Sequence, residues 1–338
     1  MVFRLIEIVV PNDKKDEAVK ILKKCEVLDF SHSKFSKTHT RFNIFIRSER
    51  TERILEVFQK RYSELEGFRV VIIPVETYIP TPEDLAVENV LKTDETEHDE
   101  ERISREELYT KVSDTSRMSY IYLAMVILSS FVAAIGVLND DVAVIIGGMI
   151  LAPLLGPTIG ISFSMVMGDF NLAKTAIRSS LMGIGLAIVI SMVLGFFLNV
   201  DPTIPSILLR TNIARGGIVL AIASGFAGSL ALVTDISSAV VGVMIAVALL
   251  PPLVTFGLLL GSGEFLLAIG AFLIFLVNFV AIIFAGILTF IQQRIHPLEE
   301  EQDIAAKKMS SISLLILGVI LAILIIINFD RTIIYGIL

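Results

Sequence analysis

Four prolines interrupt apolar stretches in which a membrane helix is otherwise expected. Pro153 and Pro157 lie in one such stretch, and Pro251 and Pro252 lie in another. Proline removes a backbone donor and clashes with the preceding turn, so each helix is expected to kink or break there. The carbonyls freed by a break are tolerated only where they are buried in protein or line a wet cavity. These residues therefore predict coordination of an ion or a small polar solute.

Uncharged polar residues near these prolines extend the candidate pathway. Its members are Pro153, Gly156, Pro157, Thr158, Pro251, Pro252, Thr255 and Asn278. Buried hydroxyls mostly bond to their own helix backbone, which is the plainer interpretation of both threonines. Asn278 is costlier to bury and predicts a defined partner across a helix interface. The alternative for the prolines is that they only bend packed helices.

Three aspartates stand where the two proline-bearing stretches begin: Asp140, Asp141 and Asp235. As N-caps they would satisfy backbone donors and suit the positive end of the helix dipole. The functional alternative is attraction of a cation to the mouth of a pathway. Capping is favoured because all three flank the stretches and none lies deep within them.

No residue pattern predicts catalysis. The four histidines, His32, His39, His98 and His296, lie outside the apolar stretches, and no H-E-x-x-H motif occurs. No Ser–His pair is expected at membrane depth either, so we expect no enzyme activity, no cofactor and no metal site. A net charge of −7 leaves no basic stripe for nucleic acid.

Charged and apolar residues are divided between two media. The chain has 338 residues and a mean hydropathy of +0.77, and 20 of its 28 Lys and Arg residues lie before residue 119. A span needs about 20 mostly apolar residues. Seven uncharged windows have this character: 119–139, 142–168, 179–200, 216–234, 236–263, 265–293 and 309–329. The sequence thus predicts a polytopic α-helical membrane domain at residues 119–338.

An internal repeat relates two parts of this domain. A shift of 95 residues, without gaps, aligns the second span with the fifth. The clearest matches are Gly147 with Gly242, Pro157 with Pro252, and Asp140 with Asp235. Each copy contains three spans, and an odd number predicts an inverted-topology repeat. The copies are expected at 119–200 and 210–293, with an extra span at 309–329. Interrupted helices at matching places in such repeats are typical of a transporter-like site near the membrane midplane.

The soluble third has two predicted parts. Residues 1–80 alternate in the order β-α-β-β-α-β, which predicts a ferredoxin-like α+β domain. Residues 81–118 are predicted to be an acidic linker and a juxtamembrane helix, because residues 94–101 carry six acidic side chains in eight. The distribution of Lys and Arg places this N-terminal domain in the cytoplasm and the C-terminus outside the cell membrane.

The stretch IIGGMILAPLLGPTIG, at residues 145–160, resembles a family of hydrophobic membrane proteins known as domain-of-unknown-function family 389. The preceding ISREELY and the Gly-Asp-Phe that follows are similar to that family too. The resemblance covers about residues 100–290. It implies a prokaryotic integral membrane protein of undefined activity, and it carries no functional residue over to this chain.

Two functions are expected from these features. The first is a transporter or channel for a small solute or ion, with paired proline-broken helices at the pathway and a cytoplasmic domain that regulates it. The alternative is a membrane-anchored sensor or scaffold whose ferredoxin-like domain binds a metabolite or partner. Small-residue helix faces and an edge-pairing domain also favour a homo-oligomer in the lipid bilayer.

Overall fold

The structure, a computed structural model, describes residues 3–25, 27–75, 103–211, 215–234, 238–297 and 300–335. Asp235 and most of the predicted acidic linker lie outside the described residues. The chain divides into two compact units, Met1–Tyr109 and Thr110–Leu338.

The first unit contains a four-stranded antiparallel sheet and two helices in the predicted order. The elements are β1 (Phe3–Pro11), α1 (Lys15–Leu22), β2 (Asp29–Lys34), β3 (His39–Arg47), α2 (Thr51–Tyr62) and β4 (Arg69–Val75). The strand order is β2-β3-β1-β4, and every neighbouring pair is antiparallel.

Alternation along the two central strands builds the core of this unit. Ile6 and Ile8 of β1 lie opposite Ile44 and Phe42 of β3, and all four side chains are fully buried. Successive side chains of a strand point to opposite faces, so these residues share one face of the sheet. Phe58 of α2 packs in the same cluster. The unit therefore has a hydrophobic core of its own.

In the described residues of the second unit, all regular secondary structure is helical. Its helices, counted from the one that leads into it, are α3 (Arg105–Ser116), α4 (Tyr120–Leu138), α5 (Val142–Leu151), α6 (Leu155–Met167), α7 (Phe170–Phe197), α8 (Pro205–Leu208), α9 (Arg215–Val233), α10 (Ser238–Gly261), α11 (Phe265–Gln292) and α12 (Glu300–Tyr335).

Four described helices are long and apolar enough to cross a membrane: α4, α7, α11 and α12. The pair α5 and α6 makes a fifth if the two are one broken span. Two shorter apolar segments, Gly217–Val233 and Ala248–Gly261, belong to α9 and α10. These helices confirm the prediction of a small sheet domain that is followed along the chain by several membrane-length apolar helices.

Helix α10 packs against both α7 and α11, and glycine makes the first of these contacts possible. A Cβ on Gly195 of α7 would collide with the carbonyl oxygen of Leu258 on α10. By contrast, nothing lies within 4 Å of the place where Gly185 of the same helix would carry a Cβ. Close backbone approach through small residues is the usual way in which membrane helices associate.

This contrast gives a matched pair of substitutions on one helix. Gly195→Ala is expected to destabilise the protein by about 1–3 kcal/mol, because the added methyl group overpacks the α7–α10 interface. Gly185→Ala is expected to be neutral or stabilising by up to about 1 kcal/mol, because alanine is the better helix former. Thermal unfolding in detergent measures both. Equal unfolding temperatures for the two variants would contradict the packing described.

Candidate functional site

The helix break predicted at Pro153 is present. Helix α5 ends at Leu151, helix α6 begins at Leu155, and their axes differ by 52°. Ala152 has extended backbone angles, φ −74° and ψ 117°, as expected for a residue that precedes proline. The local sequence thus accounts for the change of direction.

Backbone groups around the break lack their ordinary helical partners. The N–H of Ala152 bonds to the Met149 carbonyl at 3.2 Å, which tightens the last turn of α5. Proline at position 153 has no N–H. Within residues 142–167, all of which the structure describes, no backbone hydrogen bond crosses from α5 to α6. The carbonyls of Ile150 and Leu151 therefore do not receive the bonds that Leu154 and Leu155 would give them in a continuous helix.

The first turn of α6 rests against the last turn of α3. The Ser116 hydroxyl donates to the Gly156 carbonyl at 3.2 Å. A Cβ on Gly156 would collide with the Thr115 carbonyl oxygen, and one on Gly160 would collide with the Ser116 hydroxyl. Both glycines are needed for this contact. Gly156 belongs to the predicted set, whereas Ser116 was not singled out by the sequence.

A tyrosine from α4 lies beside the break. The Tyr122 hydroxyl donates to the Ser179 carbonyl at 2.9 Å, and a Cβ on Gly183 would collide with the same hydroxyl. That Cβ would also lie 3.2 Å from Leu154, the residue that immediately precedes α6. Tyr122 was not predicted, because a tyrosine near the start of a span is normally taken as an interface anchor.

At the second proline-bearing stretch, where a kink or break was expected, the structure has no break. Helix α10 is continuous from Ser238 to Gly261, with Pro251 and Pro252 inside it. Pro252 cannot donate to the Ala248 carbonyl four residues earlier. Instead, the side-chain amide of Asn278 on α11 donates to that carbonyl at 2.7 Å. A neighbouring helix thus supplies the donor that proline removed, which is how membrane proteins tolerate proline within a helix.

Asn278 and the two threonines differ in how their polar atoms are used. The partner predicted for Asn278 across a helix interface is confirmed. Thr158 donates to the Leu154 carbonyl of its own segment at 2.7 Å, as most buried hydroxyls do. Thr255 is fully buried, and its hydroxyl has no hydrogen-bond partner among the described residues. A buried hydroxyl without a partner lowers stability, unless another group meets it.

The predicted pathway residues fall into two groups. Pro153, Gly156, Pro157 and Thr158 lie at the α5–α6 break, and Pro157 and Thr158 are buried. Pro251, Pro252 and Thr255 lie on α10, and Asn278 of α11 donates to the Ala248 carbonyl of the same helix. Helix α10 also packs against α5, and α11 packs against α6. Both groups therefore belong to one bundle.

Of the two candidate cap aspartates that the structure describes, Asp141 caps the proline-bearing stretch as predicted and Asp140 does not. Asp141 accepts from the N–H groups of Ala143 and Val144 at 2.9 and 3.2 Å, so it caps α5 as predicted. Asp140 has a left-handed φ of 53°, and its carboxylate accepts from the N–H of Ser206 in α8 at 2.9 Å. Burial lowers the pKa of Arg210, which follows α8, and the Asp140 carboxylate opposes that shift.

No cluster of three or more His, Cys, Asp or Glu side chains that can hold a metal ion occurs in the described part of the chain. The arrangement at the break consists instead of backbone carbonyls and hydroxyl groups. Groups of this kind bind ions and small polar molecules through dipoles rather than through formal charge.

The structure combines several membrane-length apolar helices, one broken helix pair and a small α+β unit. This combination is typical of a polytopic membrane protein. The family described as a domain of unknown function, DUF389, matches residues 149–284. The chain is also 35% identical to an uncharacterized protein of Methanocaldococcus jannaschii over 287 residues, which are 85% of this chain and 87% of that protein. The chain belongs to the DUF389 family. No solved structure matches it.

The Asn278 bond to Ala248 gives a testable pair of changes. Asn278→Ala is expected to cost about 1–2 kcal/mol of stability, because the Ala248 carbonyl loses its donor. Adding Pro252→Ala is expected to recover much of this loss, because residue 252 then offers its own N–H to the same carbonyl. The measurement is a double-mutant cycle on unfolding in detergent.

Pro251→Ala is the matched control for this cycle. Its new N–H points to the carbonyl of residue 247, so it is expected to show no coupling to Asn278. Equal coupling of Asn278 to both prolines would show that the bond does not replace the missing helical one.

Proposed function

We propose that the protein is an integral membrane transporter or channel for a small solute or ion. The observation that carries this proposal is the α5–α6 break, where the carbonyls of Ile150 and Leu151 receive no helical donor. Lipid cannot satisfy such groups. A polar substrate that crosses the membrane needs dipoles of this kind in place of its water shell.

An inverted repeat of two three-span copies is part of the proposal, and the helix bounds support it. A shift of 95 residues carries α4, Tyr120–Leu138, onto the bounds of α9, Arg215–Val233. The same shift carries α7, Phe170–Phe197, onto the bounds of α11, Phe265–Gln292. Helices of equal length at a constant offset are what two copies of one unit produce.

The turns that follow α6 and α10 support the repeat as well. Gly168 and Gly263 are 95 residues apart, and both have left-handed backbone angles, with φ of 66° and 85°. The next residue in each case bonds five residues back: Asp169 to Ser164 at 3.0 Å, and Glu264 to Leu259 at 2.9 Å. The two turns close in the same way at equivalent positions.

Contacts between the copies also correspond. A Cβ on Gly257 of α10 would collide with the Ser191 hydroxyl of α7, and one on Gly286 of α11 would lie 2.7 Å from the Ser162 hydroxyl of α6. Positions 191 and 286 are related by the 95-residue shift, and so are positions 162 and 257. Reciprocal contacts of this kind are a property of a two-fold axis.

The copies differ where the pathway is proposed. Position 183 corresponds to Asn278, and position 153 corresponds to Ala248. Residue 183 is glycine, beside which lies the Tyr122 hydroxyl, so the first copy has no carboxamide to bridge its proline. The proposal therefore places the pathway at the α5–α6 break rather than at two equal breaks.

Seven spans and a defined sidedness complete the proposal. The seven are α4, the α5–α6 pair, α7, α9, α10, α11 and α12. The bias of Lys and Arg supports a cytoplasmic N-terminal unit and an external C-terminus. We propose further that the N-terminal unit regulates the membrane part and that the protein forms homo-oligomers in the bilayer.

Ion and solute flux tests the role of the break. Purified protein in liposomes is expected to conduct at least one of potassium, chloride or glycerol faster than protein-free liposomes. Pro153→Ala/Pro157→Ala returns two donors to the α5–α6 stretch and is expected to lower that flux about tenfold, equivalent to about 1.4 kcal/mol in the barrier. Pro251→Ala/Pro252→Ala, in the continuous helix, is the matched control. Equal flux through the two double variants would remove the break from the mechanism.

Water access to the break is testable without knowing the solute. In a Cys25→Ser background, Leu155→Cys is expected to react with a membrane-impermeant, water-soluble thiol reagent, because thiolate forms only where water reaches. Leu181→Cys on α7 is the control, since Leu181 is 65% exposed on an apolar face that lipid is expected to cover. If both cysteines stay unlabelled in liposomes while denatured protein reacts, the break is dry and the pathway is lost.

A second candidate function is a membrane-anchored sensor or scaffold. It is favoured by the separate core of the N-terminal unit and by Val71 and Ile73 of β4, which are 46% and 39% exposed. A screen of metabolites against the full chain, read as a shift in unfolding temperature, separates the two functions. Binding without any flux favours the sensor.

A further inference from the structure

A cleft of about 350 Å³ opens where α11 ends and α12 begins. Its polar lining includes Arg294, His296, Asp303 and Lys307, and its apolar lining includes Ile291, Ile295 and Ala306. The cleft thus combines basic side chains with an apolar wall. Val166, in the last turn of α6, also lines the cleft, but none of the prolines of the proposed pathway does.

Lys307 and Arg294 differ in whether they form an ion pair. Lys307 forms an ion pair with Asp303, with Nζ and Oδ2 2.6 Å apart, so one of its three donors is engaged. In the described part of the chain, Arg294 makes no ion pair with a carboxylate. Among the described lining residues, Asp303 offsets Lys307, and the Arg294 guanidinium leaves a surplus positive charge. An anion is the ligand that this balance favours.

Arg294 has a backbone conformation that is rare for a residue with a side chain. Its φ of 51° is left-handed, and the next residue, Ile295, bonds back to the Phe290 carbonyl at 3.1 Å. Glycine normally fills this position after a helix, as Gly168 and Gly263 do after α6 and α10. The other described non-glycine residue at such a position, Asp140, uses its carboxylate to bind Ser206. A residue with a side chain in this conformation points to a task for that side chain.

The depth of the cleft relative to the membrane indicates which kind of anion it binds. Both α11 and α12 are long and apolar enough to cross a membrane, so the cleft between their adjoining ends lies near the membrane surface. Ile304, next to Asp303, is 70% exposed, so an apolar side chain is available for contact with lipid at this level. Basic pockets between membrane helices at this depth are suited to lipid headgroups.

We propose that this cleft binds the phosphate of an anionic phospholipid. Arg294 and Lys307 contact the phosphate, and the start of an acyl chain lies on Ile291 and Ile295. The apolar wall distinguishes such a lipid from a free inorganic anion, which gains nothing from apolar contact. This site goes beyond the proposed function and stands whether or not the protein conducts a solute.

The test uses delipidated full-length protein in detergent, titrated with phosphatidylglycerol, phosphatidylcholine or inorganic phosphate, with the unfolding temperature as readout. Phosphatidylglycerol is expected to raise the unfolding temperature more than phosphatidylcholine at equal concentration. Arg294→Gly and Lys307→Gln are each expected to weaken the apparent affinity for phosphatidylglycerol about fivefold.

Arg294→Gly also distinguishes a loss of lipid binding from a general loss of stability. Glycine relieves the left-handed backbone, so the lipid-free unfolding temperature is expected to stay the same or rise. Lys308→Gln, one residue from Lys307 and outside the cleft lining, is the matched control and is expected to keep the full response. Equal responses to both phospholipids, or equal losses in the Lys307 and Lys308 variants, would overturn the site. A full response to inorganic phosphate would identify a free-anion site and overturn the lipid assignment.

Discussion

A backbone carbonyl that has lost its helical donor must find another polar group, because hydrocarbon offers none. This requirement decides the course of both proline-bearing segments. On α10, the carboxamide of Asn278 meets the Ala248 carbonyl, and the helix continues through two consecutive prolines. Between α5 and α6 no donor from the described residues replaces the missing ones, and the chain changes direction by 52°. The same residue type thus lies within a continuous helix in one place and at a break in the other.

The small sheet domain follows from local sequence to a large extent. Alternating apolar residues in β1 and β3 are enough to place Ile6, Ile8 and Ile44 on one face, and the two amphipathic helices cover that face. The break at Pro153 is also a local matter, since proline restricts both itself and the residue before it. These features were predictable because each depends on neighbours in the chain.

The continuous α10 was not predictable in the same way. Pro252 matches Pro157 at a shift of 95 residues, so a kink or break was expected, but the outcome depends on one side chain 30 residues away on another helix. Nothing in the local pattern says that Asn278 faces Ala248. Ser116 and Tyr122 escaped notice for the same reason, because their partners Gly156 and Ser179 lie 40 and 57 residues further along. Glycine at positions 156 and 183, where a larger side chain would collide, was the available signal.

The contact of Ser116 with Gly156 has a consequence for motion. The last turn of α3 occupies the space that side chains at residues 156 and 160 would otherwise fill. Helix α6 therefore cannot turn about Pro153 independently of α3. Any rotation of this half-helix has to slide α3 along with it or sever the hydroxyl-to-carbonyl bond. A force applied to α3 from the water side would reach the interior of the bundle without passing through any other span.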